Sequence, residues 1–202
     1  MEEQFQETLE KVLGCYTQGP FETEFLKARK EFFNLTGQVD DDQEDFETKM
    51  DIFHKWYFFD YNQSSIFADY LKNPNFEKSL KDILKEHRHS LFEYCGKNFK
   101  GLDYFKDFIT NEKIYLSKSA KKPALVRDDL FIGRFLKEGE HHFLLSGLCV
   151  LPKKVRTTLV KKAKKVGSLK DGDKKLEFLI QLLSLKNKWK RYSHIDPTKI
   201  FI

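Results

Sequence analysis

The stretch from residue 124 to residue 152, ALVRDDLFIGRFLKEGEHHFLLSGLCVLP, constrains the fold most, because its pattern predicts a β-hairpin. Apolar residues stand on both sides of Glu138-Gly139, and glycine adopts the positive φ of a tight turn at little steric cost. Apolar runs of this length between turn residues are typical of strands that are buried on one or both faces. A two-stranded hairpin is only marginally stable in water, so we expect further strands beside it.

The strands expected beside this hairpin come from residues 102–110 and 113–119, which are separated by a turn at Asn111-Glu112. Gly133 and Gly147 interrupt the two hairpin strands, and glycines in such positions often mark bulges or sharp bends. The sequence therefore predicts a small four-stranded antiparallel meander within residues 101–152, curled towards a barrel.

Helical periodicity fills the N-terminal part of the chain, residues 1–100. It predicts helices over residues 3–17, 21–34, 43–60 and 66–71. A longer helix is predicted from Asn73-Pro74, a favourable N-terminal pair, to Cys95, just before Gly96. The aromatic run Trp56–Tyr61 continues the period of its helix, so we interpret it as a core anchor rather than a stacking platform.

A basic amphipathic helix is predicted after the β unit, from Pro152 to Val166, and a last helix ends near Lys188. Both lie in the C-terminal part, residues 153–202, which we expect to pack back on the helical half. Residues 97–123 contain no linker rich in Pro, Gly and Ser, which favours one domain over residues 1–202. The predicted fold class is therefore α+β.

Charge is distributed unevenly along the chain, whose net charge is +5. Residues 1–100 carry a net −7 and residues 101–202 carry a net +12. Such an asymmetry can indicate an anionic partner for the basic end, and it can equally let the two halves attract each other.

The basic helix is the candidate binding surface, because lysine and arginine cover all of it except a narrow apolar stripe. Its candidate anion- or partner-binding residues are Lys153, Lys154, Arg156, Lys161, Lys162, Lys164 and Lys165. Such a helix is either a solvated face or a surface that binds protein, an anionic membrane or nucleic acid. The nucleic-acid alternative requires exposed aromatic side chains beside the helix, and the candidates for base stacking are Tyr104, Phe105 and Tyr115.

Familiar catalytic signatures do not occur in the sequence: there is no phosphate-binding glycine loop, no G-x-S-x-G and no C-x-x-C. His87 and His89 fall on different faces of the predicted long helix and cannot ligate one ion there. His141-His142 and Cys149 lie too far apart along the hairpin for a nucleophile and its base. We therefore predict no catalytic residue, no metal and no cofactor.

Location is predicted from what the sequence lacks. No apolar run approaches the roughly 20 residues of a membrane span, and the acidic N-terminus is unlike a secretory signal. The three cysteines are widely spaced, as in reduced buried thiols. The acidic connection Val39–Glu44 is expected to be a solvated loop rather than a calcium loop, since it lacks the central glycine. These features favour a cytoplasmic protein.

Four parts of the chain together resemble a family of uncharacterised bacterial proteins of the deltaproteobacterial, predatory-bacterium type. These parts are FETKMDIFHKWYFFDY at residues 46–61, HSLFE at residues 89–93, the β region, and KRYSHID at residues 190–196. The resemblance covers most of the chain and implies a helical front half before a small β unit. It implies no activity, so no functional residue follows from it.

The function predicted from these observations is that of a non-catalytic intracellular binding or adaptor protein with a protein partner. Its working surface is expected to be the small β unit together with the basic helix, residues 153–165. The alternative is a sequence-nonspecific nucleic-acid-binding protein, and the third reading is an enzyme of unknown type.

Overall fold

The computed structural model of the protein describes residues 2–39, 45–121 and 123–202. It confirms the α+β class, because a helical N-terminal half precedes a curled antiparallel sheet and two long helices follow that sheet. All of the acidic connection Val39–Glu44 except Val39 lies outside the described residues.

The helices of the N-terminal half bring their apolar faces together around the third of them. Their bounds are α1 Glu2–Cys15, α2 Glu22–Thr36, α3 Phe46–Phe59, α4 Ser65–Lys72 and α5 Lys78–Lys85. The first four agree with the helices that periodicity predicts.

Helix α3 forms the centre of this half, because its last turn is apolar on every side. The consecutive residues Trp56–Phe59 are all buried, as a helix without a polar face requires. Phe32 of α2 lies 5.3 Å from the Trp56 ring, and Phe67 of α4 lies 5.2 Å from the Phe59 ring, between ring centroids. The interpretation of the aromatic run as a core anchor is thus confirmed.

The sheet contains six antiparallel strands in the described part of the chain. They are β1 Arg88–Lys97, β2 Asp103–Asp107, β3 Lys113–Tyr115, β4 Leu130–Glu138, β5 His141–Leu144 and β6 Cys149–Leu151. Their order is β3-β2-β1-β4-β5, and β6 pairs with β4 beside β5. The backbone amide of Ser117 donates to the carbonyl of His142 at 3.0 Å, which joins the two edges and curls the sheet.

The predicted long helix over residues 73–95 is wrong, and with it the four-stranded meander. The chain leaves the helix at Lys85 and enters β1 at Arg88, so the β unit begins well before residue 101. β1 is the central strand and is buried on both faces over Leu91–Glu93. A strand buried on both faces carries consecutive apolar residues, and periodicity alone does not distinguish it from a buried helix.

Two clusters of apolar side chains lie on opposite faces of the curled sheet. The inner cluster consists of Phe92, Phe105, Ile114, Leu116, Phe131 and Phe135. The other face, which includes Leu91, Ile132 and Leu136, packs against the helices in one large core. Because successive strand residues point to opposite faces, the central strands β1 and β4 contribute to both clusters.

The C-terminal helices are α6 Arg156–Leu169 and α7 Gly172–Arg191, and a short 3₁₀ turn at Lys153–Val155 leads into α6. α6 lies directly on the turn between β2 and β3. A Cβ on Gly167 would stand 1.9 Å from the carbonyl oxygen of Ile109, so only glycine allows this approach. α7 packs along α2 and so returns the chain to the helical half, as expected.

Candidate functional site

The first two lysines of the basic segment are already paired within the protein. Lys153 contacts the carboxylate of Asp129 at 3.2 Å, and Lys154 contacts that of Asp196 at 3.1 Å. Hydrogen bonds from the amide and hydroxyl of Thr198, together with Lys154, lower the pKa of Asp196 to about 2, so this carboxylate is ionised at neutral pH. Both of these predicted binding residues therefore form ion pairs within the protein.

Arg156 is also paired, and it fixes α6 on the sheet. Its guanidinium binds the buried carboxylate of Glu93 on β1 with two hydrogen bonds, one of them 2.9 Å long. The same guanidinium lies 5.7 Å from the centroid of the Phe108 ring, and the amine of Lys106 lies 5.5 Å from that centroid. Arg156 is thus a structural residue that brings α6 beside the outer face of β2.

The side-chain amines of the other four predicted lysines have no ion pair or hydrogen bond to any described residue. They are Lys161, Lys162, Lys164 and Lys165, and all except the half-buried Lys162 are exposed. Gly167 lies against Ile109 of the β2–β3 turn, and Lys164, three residues earlier, is its neighbour on the helix surface. The free charge of α6 therefore lies over its second half and borders the β2–β3 hairpin.

The outer face of that hairpin carries two tyrosines and two lysines. Tyr104 pairs with Tyr115 across the strands, and Lys106 pairs with Lys113. The tyrosine rings stand 6.1 Å apart at 30°, and Tyr115 is 37% exposed. Like charges directly opposite each other destabilise a sheet. Glu93 stands across from Lys106 on β1, but its carboxylate is bound by Arg156, and neither lysine forms an ion pair with a described residue. The outer face of the hairpin therefore carries an excess of positive charge beside aromatic rings.

Phe105, the third predicted stacking residue, is not on this face. It lies between Tyr104 and Lys106 in β2, so it points to the inner cluster and is 0% exposed. The prediction that Phe105 is an exposed aromatic is wrong. The sequence could have shown this. Successive residues of a strand face opposite sides, so Phe105 cannot share a face with Tyr104 and Lys106.

Phe99 is an aromatic residue that the sequence reasoning missed. It lies in the turn between β1 and β2 and is 95% exposed, the highest value among the large hydrophobic residues described. This turn leads into Asp103 and Tyr104, so Phe99 is at the tyrosine end of the hairpin. We call the set Phe99, Tyr104, Lys106, Lys113, Tyr115, Lys161 and Lys164 the basic–aromatic face.

A second polar cluster lies buried between α3 and the sheet. Arg134 of β4 donates to the carboxylate of Asp60 at 2.5 Å and to Nδ1 of His89 at 3.1 Å, and it is only 3% exposed. Burial and the Arg134 charge lower the pKa of His89 to about 4, so its ring is neutral. Burial alone raises the pKa of Asp60, yet the charge of Arg134 holds that pKa below its usual range. The cluster ties α3 to β1 and β4.

His89 lies on a strand, not on the long helix that the sequence predicts, and its environment differs accordingly. It points into the core between strand and helix, because β1 has an alternating rather than a helical arrangement. His87, interpreted as a hydrogen-bonded core histidine, has its Nδ1 2.9 Å from the carbonyl of Leu84, and its ring packs 4.5 Å from that of Phe59.

The structure keeps Cys149 apart from the histidines of the hairpin. Cys149 pairs with Ile132 and His142 pairs with Lys137, at positions five residues apart along β4. At about 3.3 Å per residue these positions are ~17 Å apart. Burial raises the pKa of the Cys149 thiol to about 11, so it stays protonated at neutral pH.

Comparisons with protein-family models, with curated proteins and with solved structures find no match to this chain. The resemblance to bacterial proteins of the predatory type stays a prediction. Within residues 2–39, 45–121 and 123–202, no helix is long and apolar enough to cross a membrane. In the same ranges no three His, Cys, Asp or Glu side chains stand where they can hold a metal ion.

Proposed function

We propose that the protein is a non-catalytic binding protein whose working surface is the basic–aromatic face and whose partner is a single-stranded nucleic acid. The observation that carries the proposal is the outer face of the β2–β3 hairpin. There Lys106 and Lys113 stand opposite each other without an ion pair to any described residue, directly beside the paired rings of Tyr104 and Tyr115.

A single-stranded nucleic acid satisfies both halves of this surface. Its phosphates balance lysines that form no ion pair with a described residue, and its unpaired bases stack on exposed rings, a contact that is tolerant of sequence. Aromatic residues on a small sheet are a recurrent platform for such bases. Lys161 and Lys164 of α6 extend the positive charge past the hairpin, so a strand that leaves the tyrosines has further phosphate contacts along the helix.

A protein with an acidic segment is the second candidate partner, and it corresponds to the adaptor function expected from the sequence. Phe99 favours it, because a ring that is 95% exposed suits an apolar pocket on a protein as well as a base. The same lysines would meet the acidic residues of that partner. An anionic membrane surface is the third outcome that the experiments below distinguish.

The proposal is tested by fluorescence anisotropy of labelled oligo(dT) and of a duplex of equal length, titrated with nuclease-treated protein at several salt concentrations. We expect the single strand to bind more tightly and its affinity to fall log-linearly with salt. Changing Lys106, Lys113, Lys161 and Lys164 together to glutamine is expected to lower the slope of log K against log salt by about 3, since each phosphate contact contributes about 0.7.

The matched control changes four lysines that are exposed on the helical half to glutamine, which alters the net charge equally. These are Lys11, Lys30, Lys72 and Lys78. If this control weakens binding as much as the first variant, the affinity for nucleic acid depends on the net charge of the protein rather than on the position of the lysines, and the proposed face is wrong. If neither nucleic acid binds at low salt but acidic peptides or anionic vesicles do, the second or third candidate replaces the first.

A further inference from the structure

A cavity of about 390 Å³ lies between the helical half and the sheet, away from the basic–aromatic face. Its walls come from α2, α3, α7 and the segment that contains β6. Phe32, Ile52, Leu148 and Leu183 make one side of it apolar. This volume falls in the range of roughly 300–1,000 Å³ that is typical of small-molecule sites.

The polar side of the cavity has an excess of positive charge. Lys49, Lys186 and Lys190 line it together with a single described carboxylate, Asp45, which pairs with Lys190. The amine of Lys49 donates to backbone carbonyls at the end of α2, including that of Thr36 at 3.3 Å. Two of the three cations therefore have a partner inside the protein.

Lys186 is the cation without such a partner. Its amine has no hydrogen bond or ion pair to any residue that the structure describes and lies 4.6 Å from the centroid of the Trp189 ring. The side chain is half-buried, and burial lowers its pKa; Cys149 and Asp45, neither of which forms a hydrogen bond or ion pair with the amine, offset this only in part. A half-buried ammonium group at the wall of an apolar cavity is best satisfied by an anion that enters the cavity.

We propose that this cavity binds a small amphipathic carboxylate, whose anionic group pairs with Lys186 and whose apolar body lies against Phe32, Ile52 and Leu183. The carboxylate supplies the missing partner of the amine, and a charge-assisted hydrogen bond of this kind is stronger than one between neutral groups. The apolar wall gives affinity to a hydrocarbon chain or ring but offers nothing to a second charge. This site is independent of the proposed nucleic-acid surface.

The probe is octanoate, titrated into the 202-residue protein and observed by ligand NMR, with 1-octanol and octylamine as probes of equal chain length. We expect octanoate to bind more tightly than 1-octanol, and octylamine to bind least because Lys49 and Lys186 repel it. Lys186→Gln should weaken octanoate about tenfold and leave 1-octanol unchanged, as the loss of one charged hydrogen bond implies.

The matched control is Lys188→Gln, since Lys188 is exposed on the same helix and does not line the cavity. A second variant, Thr48→Trp, fills the rim from an exposed position on α3 and is expected to abolish octanoate binding with Lys186 intact. Equal binding of octanoate and 1-octanol, equal effects of the two lysine variants, or no octanoate binding in the millimolar range would each overturn the proposal.

Discussion

Replacing Arg134 by methionine removes the guanidinium that joins β4 to the end of α3. Arg134 is only 3% exposed, and its main partner Asp60 then remains in the core with His89 alone, whose Nδ1 is 3.4 Å from the carboxylate. Breaking a buried ion pair by removing one partner costs about 3–5 kcal/mol, because the other charge stays buried without compensation. That is a large part of the roughly 5–15 kcal/mol that stabilises a typical protein.

The assay is urea denaturation followed by circular dichroism at pH 7. With an m value of about 2–3 kcal/mol per molar urea, the midpoint of Arg134→Met should fall by about 1–2.5 M. Lys137→Met is the control, because Lys137 lies on the same strand and is exposed. Adding Asp60→Asn to Arg134→Met should recover part of the loss, since the stranded charge is then absent. A midpoint within 0.3 M (about 1 kcal/mol) of wild type would refute the reasoning.

The same variant has a pH dependence of defined sign. In the wild type the pKa of Asp60 is lower in the folded protein than in the unfolded chain, where it is about 3.9. The ionised carboxylate therefore stabilises the fold above that value. This stabilisation is lost as the pH falls through the folded pKa. In Arg134→Met, burial without the guanidinium raises the pKa of Asp60, so protonation relieves the buried charge. The difference in stability between the two proteins should therefore be largest near pH 7 and shrink towards pH 4.

Three further predictions concern packing and thiol chemistry. Gly167→Ala should lower the free energy of unfolding by about 1–3 kcal/mol in urea denaturation, because its Cβ would stand 1.9 Å from a carbonyl oxygen of the β2–β3 turn. The control, Gly172→Ala, should be nearly neutral, because no atom lies within 4 Å of the added Cβ. Iodoacetamide at pH 8 should alkylate Cys15 well before Cys149, whose burial raises its pKa to about 11; equal rates by peptide mass spectrometry would contradict this. Phe105→Ala should cost about 3–5 kcal/mol by urea denaturation yet leave the oligo(dT) affinity of the folded fraction unchanged, and a parallel loss of affinity would place its ring on the surface after all.

The sequence pattern alone predicts those helices and strands that have one apolar side and one polar side. The hairpin of β4 and β5 turns at Gly139 as expected, and α6 shows the narrow apolar stripe that its spacing predicts. The aromatic end of α3 was also interpreted correctly, because an uninterrupted helical period continued through it. In each case the decisive signal lies within one segment.

The features that the sequence did not reveal depend on contacts between distant segments. β1 looks helical because both of its faces are buried, one against the inner cluster and one against the helices. Lys106 and Lys113 become a charged pair only when β2 and β3 align, and Lys186 becomes an unpaired half-buried amine only when α7 closes the cavity. The charge of Lys153, Lys154 and Arg156 was visible in the sequence, but their carboxylate partners were not.

The most direct test of the basic–aromatic face locates the bound strand on the protein. Ultraviolet cross-linking to oligo(dU), followed by digestion and mass spectrometry, identifies the residues that contact bases. We expect cross-linked peptides that contain Phe99, Tyr104 or Tyr115, since these rings are the proposed stacking platform. Cross-links confined to other exposed rings, such as Tyr192 near the end of the chain, with none on the β2–β3 hairpin, would contradict the proposed function.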